Sequence, residues 1–295
     1  MFPVLLDLGT IKIYSFGLML ALGFFSGSAV LTRELKRRKL DPELGTWITI
    51  LAVLGGIGGA KILHLIENLD MFLRDPIGEA FSPGGLTWYG GFILALALVT
   101  IYVRRKKLPF LKVWDCLGIA LMIGYGVGRI GCHLAGDGDY GTPTRLPWGT
   151  IYAQGIVKPS MQLREYFASH PQEREAWNYD ALASVRGGVD RMGHAYTKFD
   201  AETPLHPTPI YELLLGLAGY FILLRLQRRM RIPGMIFMAY CALSAVFRFA
   251  VEFLRLNPRL AWGLSEAQWF AVALFAAAAI GAILLARGNR KPAAA

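Results

Sequence analysis

Seven uncharged apolar runs divide this chain: Ile13–Thr32, Gly45–Ala60, Ala80–Val103, Cys116–Gly128, Leu213–Leu224, Ile232–Phe247 and Ala267–Ala286. No other feature constrains the fold so strongly. A helix needs roughly 20 apolar residues to cross a bilayer, and three of the runs reach that length. Each of the shorter runs is bounded by an ionisable residue that a protein interior can accept, so all seven read as membrane spans. The composition agrees, with 54% hydrophobic residues over 295 positions and a positive mean hydropathy. The expected fold is an all-α integral membrane protein with seven transmembrane helices. The opening MFPVLLDLGTIKIYS has no basic segment before its apolar run and no small-residue cleavage site, so the first span is expected to remain in place.

Basic residues set the orientation. Arg33, Lys36, Arg37, Arg38 and Lys39 follow the first span; Arg104, Arg105, Lys106, Lys107 and Lys112 follow the third. Arg225, Arg228, Arg229 and Arg231 follow the fifth, and Arg287, Arg290 and Lys291 lie in the tail. In a seven-span chain these segments share one side, which the positive-inside rule makes cytoplasmic. The N-terminus is then outside and the C-terminus inside. The net charge of +10 reads as this topology signal, and nucleic-acid binding is not expected. Cys116, Cys132 and Cys241 have no paired spacing, so neither a disulfide framework nor a zinc site is implied.

Between the fourth and fifth spans the apolar runs vanish. Residues 138–205 read as a small extracytoplasmic head or as an ordered loop covering the bundle, with LPWGTIYA as a short strand and SMQLREYFASHPQEREAWNYDALASV as one or two helices. The expected organisation is therefore helices one to four over 1–137, the head over 138–205, and helices five to seven with a cytoplasmic tail over 206–295.

Charges inside the spans point to function, because charge is expensive there. On the second span, just past its uncharged run, Lys61 and His64 are three residues apart and share a helical face, beside Gly55, Gly56, Gly58 and Gly59, which admit a close neighbour. Lys61 reads as a buried cation or as a side chain snorkelling to the interface. In FRFAVEFLR, Arg248 and Glu252 are four apart and Glu252 and Arg255 three apart. Glu252 either neutralises one arginine or belongs to a larger site. With Arg129 from GRIGCHLAGDGDYG, three guanidiniums face one carboxylate on this ladder. That positive excess suits an anion, and the planar fork suits a phosphate. Asp137 and Asp139 either join the site or cap the glycine-rich turn, the latter being the expected role of Asp139. His133, Asp137 and Asp139 make a poor metal site, and no metal or other cofactor is expected.

Four motifs, GGLTWYGG (84–91), GRIGCHLAGDGDYG (128–141), HPTPIYE (206–212) and FRFAVEFLR (247–255), resemble in order those of the bacterial prolipoprotein diacylglyceryl transferases. The resemblance covers nearly the whole chain except the head. It implies a seven-helix inner-membrane enzyme that transfers the diacylglyceryl group of phosphatidylglycerol to the lipobox cysteine of a lipoprotein precursor, with release of glycerol phosphate. The partners so implied are phosphatidylglycerol, the precursor's signal peptide and membrane lipids. Arg129, Arg248 and Arg255, with Glu252 between the last two, match family positions. So do His206, Pro207, Tyr211 and Glu212, with Thr208 in place of serine, and Asp115. The family's acidic residue after Asn-Gly falls at Asp137, and Lys61 stands where the family has arginine.

Two positions depart from the pattern. The family's histidine between glycine pairs is Tyr89, and the asparagine after the arginine signature is Cys132. Tyrosine, with a reference pKa of about 10, is a poor general base near neutral pH. His133, four residues after Arg129, projects on the same face if the helix continues, and is either a substitute base or a packed, interfacial histidine. Tyr89, Asp137 and Glu212 are the other candidates for generating the thiolate, while Arg129, Arg248 and Arg255 clamp the phosphate. Two alternatives remain: a relative that binds phospholipid but uses another acceptor or none, and a lipid or solute transporter. The chain shows no internal repeat of the kind many transporters carry.

Overall fold

The computed structural model describes residues 1–9, 12–82 and 87–289. Gly84, Gly85 and Leu86 of the GGLTWYGG motif, with Arg290, Lys291 and the rest of the terminal segment, lie outside the described residues. Seven long helices are present among those described: α1 (Ser15–Arg37), α2 (Glu43–Glu67), α3 (Trp88–Arg105), α4 (Phe110–Ala135), α5 (Thr208–Leu226), α6 (Met235–Glu252) and α7 (Glu266–Gly288). Six of them are long and apolar enough to cross a membrane; α3, with 18 residues, is not among these. The protein is thus a mainly helical, multi-pass membrane protein. Most helices overrun the uncharged stretches that predict them. The apolar run fixes what can sit in lipid, whereas the backbone ladder continues through flanking polar residues that reach the interface.

The chain packs as two units, one of residues 28–120 and one of 1–27 with 121–295. In the first unit α2 packs on α3 through glycines. A Cβ on Gly59 would lie 2.3 Å from the Gly90 carbonyl oxygen, one on Gly91 2.5 Å from the Gly56 oxygen, and one on Gly55 2.6 Å from Ala95 Cα. Backbones meet here because no side chain intervenes. A Cβ on Gly56 or Gly58 would meet open space, so two of the four glycines, Gly55 and Gly59, require their missing side chain here, and Gly56 takes part only through its carbonyl. At the other end of the unit, Arg38 Nη1 donates to buried Asp115 at 3.0 Å, tying the end of α1 to α4.

The second unit carries α5, α6 and α7 with parts of α1 and α4. Glycines again set the approach: a Cβ on Gly23 of α1 would lie 3.0 Å from the Gly124 oxygen of α4, and one on Gly216 of α5 3.1 Å from Gly126 Cα. α7 starts at a capping box in which Ser265 accepts from the Gln268 amide and Gln268 accepts from the Ser265 amide. Its exposed Phe270, Leu274, Ile280, Ile283 and Leu284 form the apolar surface a lipid-facing helix presents.

Residues 138–205 contain a buried cluster of Tyr140, Tyr152, Leu163, Phe167, Tyr179, Phe199 and Leu205. Three short helices, Pro159–Ser169, Pro171–Ala176 and Tyr179–Ala183, stand where one or two were expected. The expected LPWGTIYA strand is absent among the described residues: Thr150 makes only an isolated bridge to Leu205, with no neighbouring strand to extend it. The all-α expectation also needs correction. Among the described residues two antiparallel strand pairs occur, β1 (Val4–Asp7) with β2 (Lys12–Tyr14) and β3 (Arg186–Val189) with β4 (Ala195–Thr197). A buried Lys158–Asp190 ion pair fastens the second of these, with Lys158 also donating to the Gly155 oxygen at 2.8 Å.

Candidate active site

Four segments of the second unit bring six charges together. α4 supplies Arg129 near its end, the turn after it Asp139, α5 Glu212 in its second turn, and α6 Arg248 and its last residue Glu252, with Arg255 in the turn that follows. The i, i+4 spacing on α6 puts Arg248 Nη2 2.8 Å from a Glu252 oxygen, and the turn after the helix brings Arg255 Nε to 3.7 Å from the same atom. Glu212 is the hub: it lies 3.0 Å from Arg129 Nε, 3.2 Å from Arg248 Nη1 and 3.6 Å from Arg255 Nη1, and accepts from Tyr125 Oη at 2.9 Å. Asp139 bridges Arg129 and Arg255, giving one carboxylate oxygen to each. The Arg129 guanidinium also stacks over the Tyr125 ring, 4.8 Å from its centre.

Three carboxylates therefore meet three guanidiniums, and the expected excess of positive charge is corrected to a formally balanced cluster. Glu252 and Glu212 are almost completely buried, at 0% and 3% exposed. Charges so buried persist only when paired and hydrogen-bonded. Glu252 meets that condition through Asn257 Nδ2 at 2.6 Å and Ser265 Oγ at 2.7 Å in addition to its arginines. Burial works to raise the Asp139 pKa, but Arg255 and Arg129 outweigh it and hold the carboxyl below the usual range. Burial likewise opposes the charge on Arg255, and Asp139 with Glu212 more than restores it.

The glycine-rich turn decides which aspartate enters the cluster. Gly136 and Gly138 adopt φ of 62° and 103°, left-handed conformations that glycine takes without strain. The turn sends Asp139, not Asp137, between the arginines, so the expected capping role of Asp139 is corrected. Asp137 lies beside Cys132, and burial with the nearby Asp139 charge pushes its carboxyl above the ordinary range. Cys132, Asp137 and Asp139 offer ligand atoms within 4.8 Å of one another. Two guanidiniums already engage Asp139, and their charge opposes a cation there.

His133 lies one helical turn beyond Arg129, and α4 does continue through it to Ala135. Its Nδ1 meets Tyr152 Oη at 3.0 Å. With His206, Pro207, Tyr211, Leu146, Trp148, Thr150, Ile210, Leu214 and Leu254 it lines a cavity of about 620 Å³. Within that wall, Trp148 Nε1 donates to Tyr211 Oη at 2.8 Å, and Tyr211 Oη shares a further hydrogen bond with His206 Nδ1 at 3.0 Å. Burial lowers the His206 pKa, favouring the neutral ring. Lys61 and Tyr89 belong to the other unit. Lys61 Nζ, half-buried, donates to Ser82 O at 3.1 Å and Oγ at 2.8 Å, and Tyr89 packs edge-on against Trp88.

A sequence model described as prolipoprotein diacylglyceryl transferase matches residues 3–284. The phosphatidylglycerol-prolipoprotein diacylglyceryl transferase of Leptospira interrogans is 29% identical over 194 residues, which span 58% of this chain and 58% of that protein. The protein of that name from Clostridium tetani is 29% identical over 257 residues, 87% of this chain and 86% of its own. For the one from Geobacter sulfurreducens the figures are 29% over 301 aligned residues, 98% and 97%.

Proposed function

The chain belongs to the prolipoprotein diacylglyceryl transferase family, and we propose that it transfers the diacylglyceryl group of phosphatidylglycerol to the lipobox cysteine thiol of a lipoprotein precursor. The observation that carries this reading is the convergence of Arg129, Arg248 and Arg255 on buried carboxylates, a cluster able to receive phosphate oxygens. In the reaction a sulfur–carbon bond forms at the glycerol carbon as the carbon–oxygen bond to phosphate breaks. The electron pair leaves with glycerol phosphate, whose developing charge Arg129, Arg248 and Arg255 stabilise. The thiol proton goes to His133, whose Nδ1 is held by Tyr152 and whose Nε2 is the remaining ring nitrogen. Tyr89, at the family's histidine position, is the alternative base. The apolar wall of Leu146, Ile210, Leu214 and Leu254 suits an acyl chain.

The same reading counts α3 as the remaining span, giving seven in the bacterial inner membrane. It puts the N-terminus and the 138–205 head outside and the C-terminus in the cytoplasm, with helices one to four over 1–137 and five to seven over 206–295. The asymmetry of lysine and arginine supports this orientation. Cysteines introduced in the head should react with an impermeant reagent without inner-membrane permeabilisation. For the activity, a bacterium depleted of its own transferase and supplied with this chain should process lipoprotein precursors; accumulation of unmodified precursor contradicts the proposal.

A further inference from the structure

We infer that Asp139 is the resting occupant of the phosphate site, an internal anion that holds Arg129 and Arg255 in place and that an incoming phosphate displaces. The inference rests on the function proposed above for the nature of the anion. Its geometric basis is a comparison of the three carboxylates. Glu252 is wholly buried and held by two arginines, Asn257 and Ser265. Glu212 is nearly as buried and is held by three arginines and Tyr125. Asp139 differs on both counts. Its side chain is 25% exposed, and among the described residues the hydrogen bonds to its carboxylate come from the two guanidiniums alone.

The pose of Asp139 is that of a bound oxyanion, with two oxygens on one centre spanning two guanidiniums. A phosphodiester presents the same pair of oxygens with the same single charge, and the phosphate monoester that leaves gains a second. The receiving arginine also has donors to spare: Arg255 is 6% exposed, yet its Nε and Nη1 make no hydrogen bond among the described residues, their nearest carboxylate oxygens being 3.7 and 3.6 Å away. Such buried donors are costly unless a ligand completes them. Displacement needs no movement of the main chain. The Asp139 carbonyl is fixed by Thr208 Oγ1 at 2.7 Å, and the next residues are pinned by Gly141 N to His206 O at 3.0 Å and Leu256 N to Tyr140 O at 3.3 Å. Only the side chain rotates. Asp139 is therefore a positioning residue, acting through the arginines; it keeps the cluster neutral until an anion arrives.

The test uses the full chain in lipid nanodiscs with inorganic phosphate as probe. Asp139→Asn keeps the shape but removes the competing charge, so phosphate should bind about tenfold more tightly, and the KM for phosphatidylglycerol should fall. Asp139→Glu, which restores a carboxylate, should return both values toward those of the natural protein. Unchanged or weaker phosphate binding in Asp139→Asn, or a raised KM, overturns the inference. Infrared difference spectra of the natural protein with ¹³C-carboxyl aspartate serve if that variant does not fold: phosphate should shift a carboxylate band from paired to free, and the absence of a shift overturns the inference. Transfer to a lipobox peptide, read in the same preparations, separates the two proposals. Displacement without transfer refutes the function and leaves the internal anion standing, whereas transfer without displacement does the reverse.

Discussion

Replacing Arg129 by lysine isolates the value of the guanidinium fork, because the charge stays. Arg129 reaches Glu212 through Nε at 3.0 Å and Asp139 through Nη1 while lying over the Tyr125 ring. A single ammonium cannot hold two acceptors in those directions and keep the stacked position. The phosphate in the transition state meets the same restriction and loses one charge-assisted hydrogen bond, roughly 1.5–3 kcal/mol. At about 1.4 kcal/mol per factor of ten, the loss in kcat/KM is about tenfold to 150-fold. The assay is transfer of labelled diacylglyceryl to a lipobox peptide over a range of phosphatidylglycerol concentrations in mixed micelles, with thermal unfolding of each variant as a folding control. Arg248→Lys should behave alike, since Arg248 also divides two nitrogens between Glu212 and Glu252. Near-normal activity in both folded lysine variants would refute the clamp.

Gly59→Ala should destabilise the protein by about 3 kcal/mol, the upper end for overpacking, since its Cβ meets backbone at 2.3 Å, while Gly58→Ala, facing open space, should stay within about 0.5 kcal/mol; denaturant unfolding compares them. If His133 is the base, His133→Ala should abolish transfer and Tyr89→His should restore much of it, so full activity in His133→Ala would eliminate that assignment. In the head, burial raises the Asp190 pKa but the hydrogen bond from Lys158 and those from the His194 and Met192 amides lower it further, leaving it depressed. A depressed folded pKa contributes stability above the unfolded value that is lost as pH falls through the folded one. The head should accordingly loosen in acid below the ordinary aspartate range, and Asp190→Asn should flatten that limb in a pH series of hydrogen exchange.

The elements legible in the sequence are those whose signal is local. Apolar run length announces the helices, and the i, i+4 step from Arg248 to Glu252 announces their contact, because one helix carries both. What required long-range geometry was hidden. Glu212 is a hub only once α5 is laid beside α4 and α6, so a count along one helix found one carboxylate where the fold assembles three. The choice between Asp137 and Asp139 depends on two left-handed glycines, and a shift of two residues in such a turn reverses which side chain points inward. The same limit explains Thr150, whose β-prone neighbours lack a partner strand. Gly90 and Gly91, which follow Tyr89 in its motif, have a packing role against Gly59 and Gly56 that no linear pattern displays.

The central claim is the reaction itself, and the mass of the acceptor tests it most directly. Purified protein is incubated with phosphatidylglycerol and a lipobox peptide, and the peptide is weighed by mass spectrometry beside a control with serine at the lipobox cysteine. The account predicts a diacylglyceryl adduct on the cysteine peptide alone, with glycerol phosphate released in equal amount and both products lost in Arg129→Ala. An unmodified cysteine peptide in a preparation that is folded and binds phosphatidylglycerol would contradict it.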